Sequence, residues 1–128
     1  MSKYQFKSYK KKSGTLIPFS LKKNIPFKTK RIFLIYGNKN FIRGNHAHRK
    51  CSQFFIPIFG RMELKTEFKN IKKSSIIHYK NKKGILLKPK TWCKVKFLSN
   101  NAILMVFCDM EYSFKDYIEN YRIFKKIK

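Results

Sequence analysis

The sequence predicts an all-β fold, a sandwich or jelly-roll barrel with one short C-terminal helix, on three observations. Short apolar segments rich in β-branched and aromatic residues recur at regular spacing along nearly the whole chain. Turn-forming residues separate them, and apolar residues take up helical spacing only after Ser113. At 128 residues the chain has the length of one domain, 1–128, with a single core.

Residues 1–12 read as a polar, basic lead-in without the apolar stretch of a secretory signal. Strands are expected over residues 15–19, 31–36, 53–59, 61–68, 75–79, 84–88, 93–97 and 102–108. Breaks fall at Ser13-Gly14, Gly37-Asn38, Gly60, Asn81 to Gly84 and Ser99-Asn100-Asn101. Met62, Leu64, Thr66 and Phe68 alternate with Arg61, Glu63, Lys65 and Glu67, the pattern of a strand with one wet face. At the C-terminus, Ser113 and Asp116 read as a capping pair. Phe114, Tyr117, Ile118, Tyr121 and Phe124 then form a helical stripe suited to packing on the barrel.

The charge balance is 31 Lys+Arg against 6 Asp+Glu, a formal +25. Such a surface attracts polyanions. The basic residues are spread rather than gathered into an arm, and Lys, Asn, Ile, Phe and Tyr are enriched together, so composition explains the charge better than nucleic-acid binding does. All six acids lie from Glu63 onward, which argues against a paired-carboxylate site beside the N-terminal motif. Cys51, Cys93 and Cys108 show no CxxC spacing, and three cannot all pair. Free thiols in a reducing cytoplasm are expected. The longest apolar run, residues 102–108, is too short to span a bilayer.

The segment Arg43-Gly44-Asn45-His46-Ala47-His48 carries the chemistry. On a strand His46 and His48 project from one face. Four residues separate His48 from Gln53 and six more lead to Gly60, the spacing of the first cupin motif with Gln in place of Glu. The later region, residues 84–92, has no histidine, and His78 reads as a surface strand residue. Two imidazoles without carboxylate or thiolate support fall short of a ligand set, so no metal is expected. Imidazoles are then available as acid/base groups.

A family resemblance extends over nearly the whole chain after Ser13. Ile25-Pro26-Phe27, residues 30–36, the 43–48 segment, Gln53, residues 84–89 with Trp92, Phe97-Leu98-Ser99, Tyr112, Asp116-Tyr117-Ile118 and Tyr121 resemble the nucleotide-sugar 3,4-ketoisomerases, which also form the C-terminal half of WxcM-like proteins. The resemblance implies a cupin-type jelly-roll subunit in a homodimer, commonly with exchanged N-terminal strands, and no metal or organic cofactor. It implies dTDP-4-keto-6-deoxyglucose as substrate and a 3-keto product later aminated to a 3-amino sugar. Carried over by position, His48 is the acid/base nearest C3 and C4, His46 assists, and Tyr36 and Arg43 match active-site positions.

Proton removal at C3, an enediol, and reprotonation at C4 suit these residue types. Arg43 suits a pyrophosphate, because a guanidinium holds two oxygens at once. Gln53 can orient His48 or bond the sugar. On residue type alone Tyr36 belongs to a core, and Trp92 fits stacking on the substrate or packing equally well. Two other functions remain open: a dTDP-sugar epimerase acting at C3 or C5, and a non-enzymatic basic barrel that binds nucleic acid or sugar.

Overall fold

The computed structural model describes residues 2–127. In chain order the strands are β1 (Ser2–Gln5), β2 (Tyr9–Lys11), β3 (Gly14–Leu16), β4 (Arg31–Gly37), β5 (Ile42–His48), β6 (Gln53–Phe59), β7 (Arg61–Phe68), β8 (Ile71–His78), β9 (Lys83–Leu87), β10 (Trp92–Phe97), β11 (Ala102–Cys108) and β12 (Tyr117–Ile118). Helix α1 (Leu21–Asn24) is a single turn, and α2 (Tyr121–Lys126) ends the described chain.

Two five-stranded antiparallel sheets form the body, in the orders β1-β9-β6-β11-β4 and β12-β5-β10-β7-β8, with β2 and β3 as a separate hairpin. The expected all-β jelly roll is therefore present. Strands β6, β7 and β11 run over the predicted residues, because β7 alternates cleanly, β6 and β11 are continuous apolar runs of strand length, and Gly60 and Asn101 mark their turns.

The inner faces meet in one core, where Phe55, Leu104 and Val106 of the first sheet face Met62, Leu64, Val95 and Phe97 of the second. Both outer faces are covered in part. Phe6, Ile17, Phe19, Ile25 and Phe27 of the N-terminal segment pack over Phe54, Ile56 and Phe107, which is why β6 is apolar on both sides. Strand β1 joins the edge of its own chain's first sheet through β9. On the second sheet, Phe124 of α2 covers Ala47, Trp92 and Ile118.

The C-terminal reading needs correction. The helix begins at Tyr121, not near Ser113, and its cap is Asn120, whose side chain accepts from the Ile123 amide. Residues 114–116 form a 3-10 turn and Tyr117–Ile118 a short strand on β5. The carboxylate of Asp116 does not cap a helix because it is engaged elsewhere.

Candidate active site

Strand β5 carries the histidine motif, and a β-bulge determines what it presents. Its register with β10 pairs His46 with Cys93, Gly44 with Lys94 and Arg43 with Val95, leaving Asn45 without a partner. Asn45 is left-handed at φ 60°, and Gly44 precedes it at φ 95°. A Cβ on Gly44 would lie 2.8 Å from the Cys93 carbonyl oxygen, so the position requires glycine. Without a bulge, alternation would send Arg43 and His46 to opposite faces. The extra residue restores Arg43 to the inner face, beside Val95. Arg43, His46 and Val95 consequently line one cavity of about 330 Å³ between the sheets.

That cavity has an apolar floor of Phe33, Ile35, Phe55, Leu104 and Val106, with Gln53, Tyr112 and Tyr117 as its polar wall. His46 stands on the wall. His48 does not line the cavity; it is 5% exposed and sits behind the lining residues His46 and Tyr117, its ring centroid 5.2 Å from His46 and 4.4 Å from Tyr117. Tyr117 also lies 5.1 Å from His46, so one phenol ring touches both imidazoles.

Asp116 fixes His48. Its Oδ2 is 3.0 Å from His48 Nδ1, while Oδ1 accepts from the Lys50 amide at 2.7 Å and Oδ2 from the Cys51 amide at 3.3 Å. The carboxylate is held by backbone and has one remaining task, to accept the Nδ1 proton. The Nε2 atom of His48 is buried without a hydrogen-bond partner. Burial lowers the His48 pKa below the ordinary 6.5, opposed by the bond to Asp116. His46 is pushed down to about 4 by burial, then by His48. Both rings are therefore neutral at pH 7.

Behind the imidazoles lies a sulfur cluster. Arg31 Nη2 donates to Cys108 Sγ at 3.4 Å and Gln53 Nε2 donates to the same atom at 3.6 Å. A hydrogen bond from Cys51 is the largest influence lowering the Cys108 thiol, which falls to about 6 with help from Gln53 and Arg31, and the same contact raises Cys51. Arg31 also reaches the Tyr117 hydroxyl and sits over the Tyr112 ring. All three cysteines are free and buried.

The fold brings together His46, His48, Arg43 and Gln53 but not Tyr36 or Trp92. Tyr36 is 69% exposed, because Phe33 and Ile35 take the inward positions of β4 and alternation turns Ile32, Leu34 and Tyr36 outward. It contributes nothing to this cavity. Trp92 is a packing residue, 5.3 Å from Tyr121 and 5.4 Å from Phe124 on the outer face of the second sheet. His78 is peripheral, as expected, and accepts from the Lys80 amide. The premise that the histidines lack acid and thiol neighbours is overturned: Asp116 and Cys51 both reach His48. The signal for Asp116 was its place in the Asp116-Tyr117-Ile118 match, which the reading of Asp116 as a helix cap absorbed.

A larger depression of about 530 Å³ lies on the outer face of the second sheet, walled by Lys65, Lys72, Lys94 and Trp92. It contains no imidazole, so the acid/base groups assign the chemistry to the inner cavity.

Over residues 1–128 the chain matches the family model described as FdtA: WxcM-like, C-terminal. It is 30% identical over 122 residues to the TDP-4-oxo-6-deoxy-alpha-D-glucose-3,4-oxoisomerase of Aneurinibacillus thermoaerophilus, covering 94% of this chain and 87% of the relative. Its fold is similar to a 3,4-ketoisomerase from Helicobacter canadensis, at 31% identity and a TM-score of 0.89 over 96% of this chain and 92% of the other. It is similar also to a mutant of the 3,4-ketoisomerase QdtA from Thermoanaerobacterium thermosaccharolyticum in complex with TDP-4-keto-6-deoxyglucose, at 27% identity and a TM-score of 0.89, covering 96% and 89%.

Proposed function

The chain belongs to the FdtA family of WxcM-like, C-terminal proteins, and from that membership we propose an enzyme that moves the ketone of a TDP-linked 4-keto-6-deoxy sugar from C4 to C3. The observation that carries the mechanism is the Asp116–His48 bond. It places the ring proton on Nδ1 and leaves the Nε2 lone pair unpaired, the arrangement a general base needs.

In this reading His48 Nε2 takes the C3 proton, the enediol forms, and the same imidazolium returns a proton to C4. Asp116 stabilises the transient positive charge on the ring. Neutral His46 and the hydroxyl of Tyr117 face the cavity and suit the transfer of the oxygen-bound proton between O4 and O3. Tyr117 takes the role that the family resemblance implied for Tyr36. Arg43 at the mouth suits the diphosphate, which would leave the sugar over the imidazoles. Gln53 is committed to Cys108, so it acts on the site's geometry more than on the sugar. The reaction leaves the substrate's composition and overall oxidation level unchanged, with the imidazolium proton exchanging with solvent, and needs no external oxidant.

The product fits an amination step that would yield a 3-amino-3,6-dideoxy sugar. A homodimer fits the exposed apolar face of β4, where Ile32, Leu34 and Tyr36 lie uncovered. Among the described residues no helix is long and apolar enough to cross a membrane, and three free thiols suit the cytoplasm.

Turnover of TDP-4-keto-6-deoxyglucose in deuterated water, followed by NMR, tests the assignment. The expected product carries its ketone at C3 and one deuterium at C4, and His48→Asn abolishes turnover in a folded protein. A ketone retained at C4 with label at C3 or C5 would establish an epimerase instead.

A further inference from the structure

Beyond proton transfer, the same imidazole has a second set of neighbours. One donor atom from each of His48, Cys51 and Asp116 falls within 4.8 Å of the others, and all three residues are buried. The chain brings them together from separate directions. His48 ends β5, Cys51 follows in the loop to β6, and Asp116 arrives 68 positions after His48 in the turn before β12. Their placement does not depend on the Cys51 side chain, because the backbone amides of Lys50 and Cys51 hold the carboxylate.

We propose that His48 Nδ1, Cys51 Sγ and the Asp116 carboxylate form an inhibitory site for a borderline-soft divalent cation of the Zn²⁺ class. An imidazole nitrogen, a thiolate and a carboxylate make up a mixed set of the kind that selects Zn²⁺ over the oxygen-seeking Mg²⁺ and Ca²⁺. The charges close as well. A carboxylate and a thiolate neutralise a divalent ion, which matters in a buried site where net charge is costly.

Binding requires two proton movements. The Cys51 thiol gives its proton to solvent as the metal–sulfur bond forms. The His48 ring proton leaves Nδ1 for Nε2 as the metal–nitrogen bond forms, so the imidazole remains neutral. The second movement is the inhibitory one, since it fills the Nε2 lone pair that the proposed reaction uses. The cation would therefore stop catalysis without entering the substrate cavity, and inhibition should not be competitive with nucleotide sugar. That consequence rests on the isomerase reading; the binding does not.

The test uses full-length protein stripped with chelator, then titrated with Zn²⁺ by calorimetry and with Co²⁺ by absorption, without substrate. One equivalent should bind per chain, and Co²⁺ should give a thiolate-to-metal band in the near ultraviolet. Cys51→Ser should remove the band and weaken Zn²⁺ at least tenfold. With substrate present, Zn²⁺ should inhibit the wild type reversibly by chelation, and Cys51→Ser should resist. Because the cobalt band is read on the wild type, a misfolded variant would not obscure the result. Absence of binding, or binding that lacks the band and survives Cys51→Ser as a site on the His46–His48 pair would, overturns the proposal.

Discussion

Replacing Asp116 by Asn isolates the interaction on which the mechanism rests. The Oδ1 atom is engaged by the Lys50 amide at 2.7 Å, so an Asn in this place keeps its oxygen there and turns its NH2 toward His48. Two losses follow. The charge-assisted bond to Nδ1, worth about 1.5–3 kcal/mol, disappears. At about 1.4 kcal/mol per decade that alone lowers the rate roughly tenfold to a hundredfold. The Asn amide hydrogens also favour the tautomer protonated at Nε2, which removes the base in most molecules. Together kcat should fall by about two to four orders of magnitude with KM little changed, an outcome with precedent in His–Asp pairs generally. Asp116 raises the His48 pKa, so its loss should also move the acidic limb of the residual activity to lower pH. The assay is an NMR time course of ketone migration across pH, with a thermal melt to confirm folding. A folded Asp116→Asn protein with kcat within threefold of wild type would refute the argument.

Tyr117→Phe should lower kcat at least about tenfold, the worth of one positioned hydroxyl, whereas Tyr36→Phe should change it less than about twofold because Tyr36 faces away from the cavity; steady-state kinetics of the pair decides between them. Both imidazoles titrate below 6.5, so kcat/KM should stay level as pH falls from 7 to 6.5 and decline only below that. The unfolded chain takes up its histidine protons near 6.5 while folded His46 resists until about 4, so stability is full above 6.5 and is lost as pH falls toward 4, as denaturant titrations at several pH values should show. Phe54→Ala, at a fully buried ring packed edge-on to Tyr4 and Phe6, should cost about 3–5 kcal/mol in chemical denaturation with little change in KM.

How far residues alone reveal this protein varies along the chain. Strand β7 was legible because charged and apolar residues alternate and settle which face is wet. Strand β4 was not: Ile32 to Tyr36 is apolar throughout, so either parity was consistent and the inward assignment of Tyr36 could not be tested. Its outward residues Ile32, Leu34 and Tyr36 are as apolar as its inward ones although they lie uncovered, and that erases the signal. The histidine pair was legible from its own spacing. Its acid was hidden, since Asp116 belongs to the site through a 68-residue separation and its neighbours mimic a helical stripe. Trp92 was ambiguous on chemistry alone, and only the position of Phe124 makes it a wall of the protein's exterior packing.

The unpaired residue at Asn45 means that chain length, as much as chemistry, governs the electrostatics of the pocket. Delete it, or insert one neighbour, and the guanidinium three positions before His46 moves from lumen to solvent while every amino acid that matters is still present. Such a variant would align almost perfectly with its parent yet lose the cation proposed to hold a diphosphate. Substitution and indel are thus unequal here: the first trims a contact, the second turns a positive charge through the sheet.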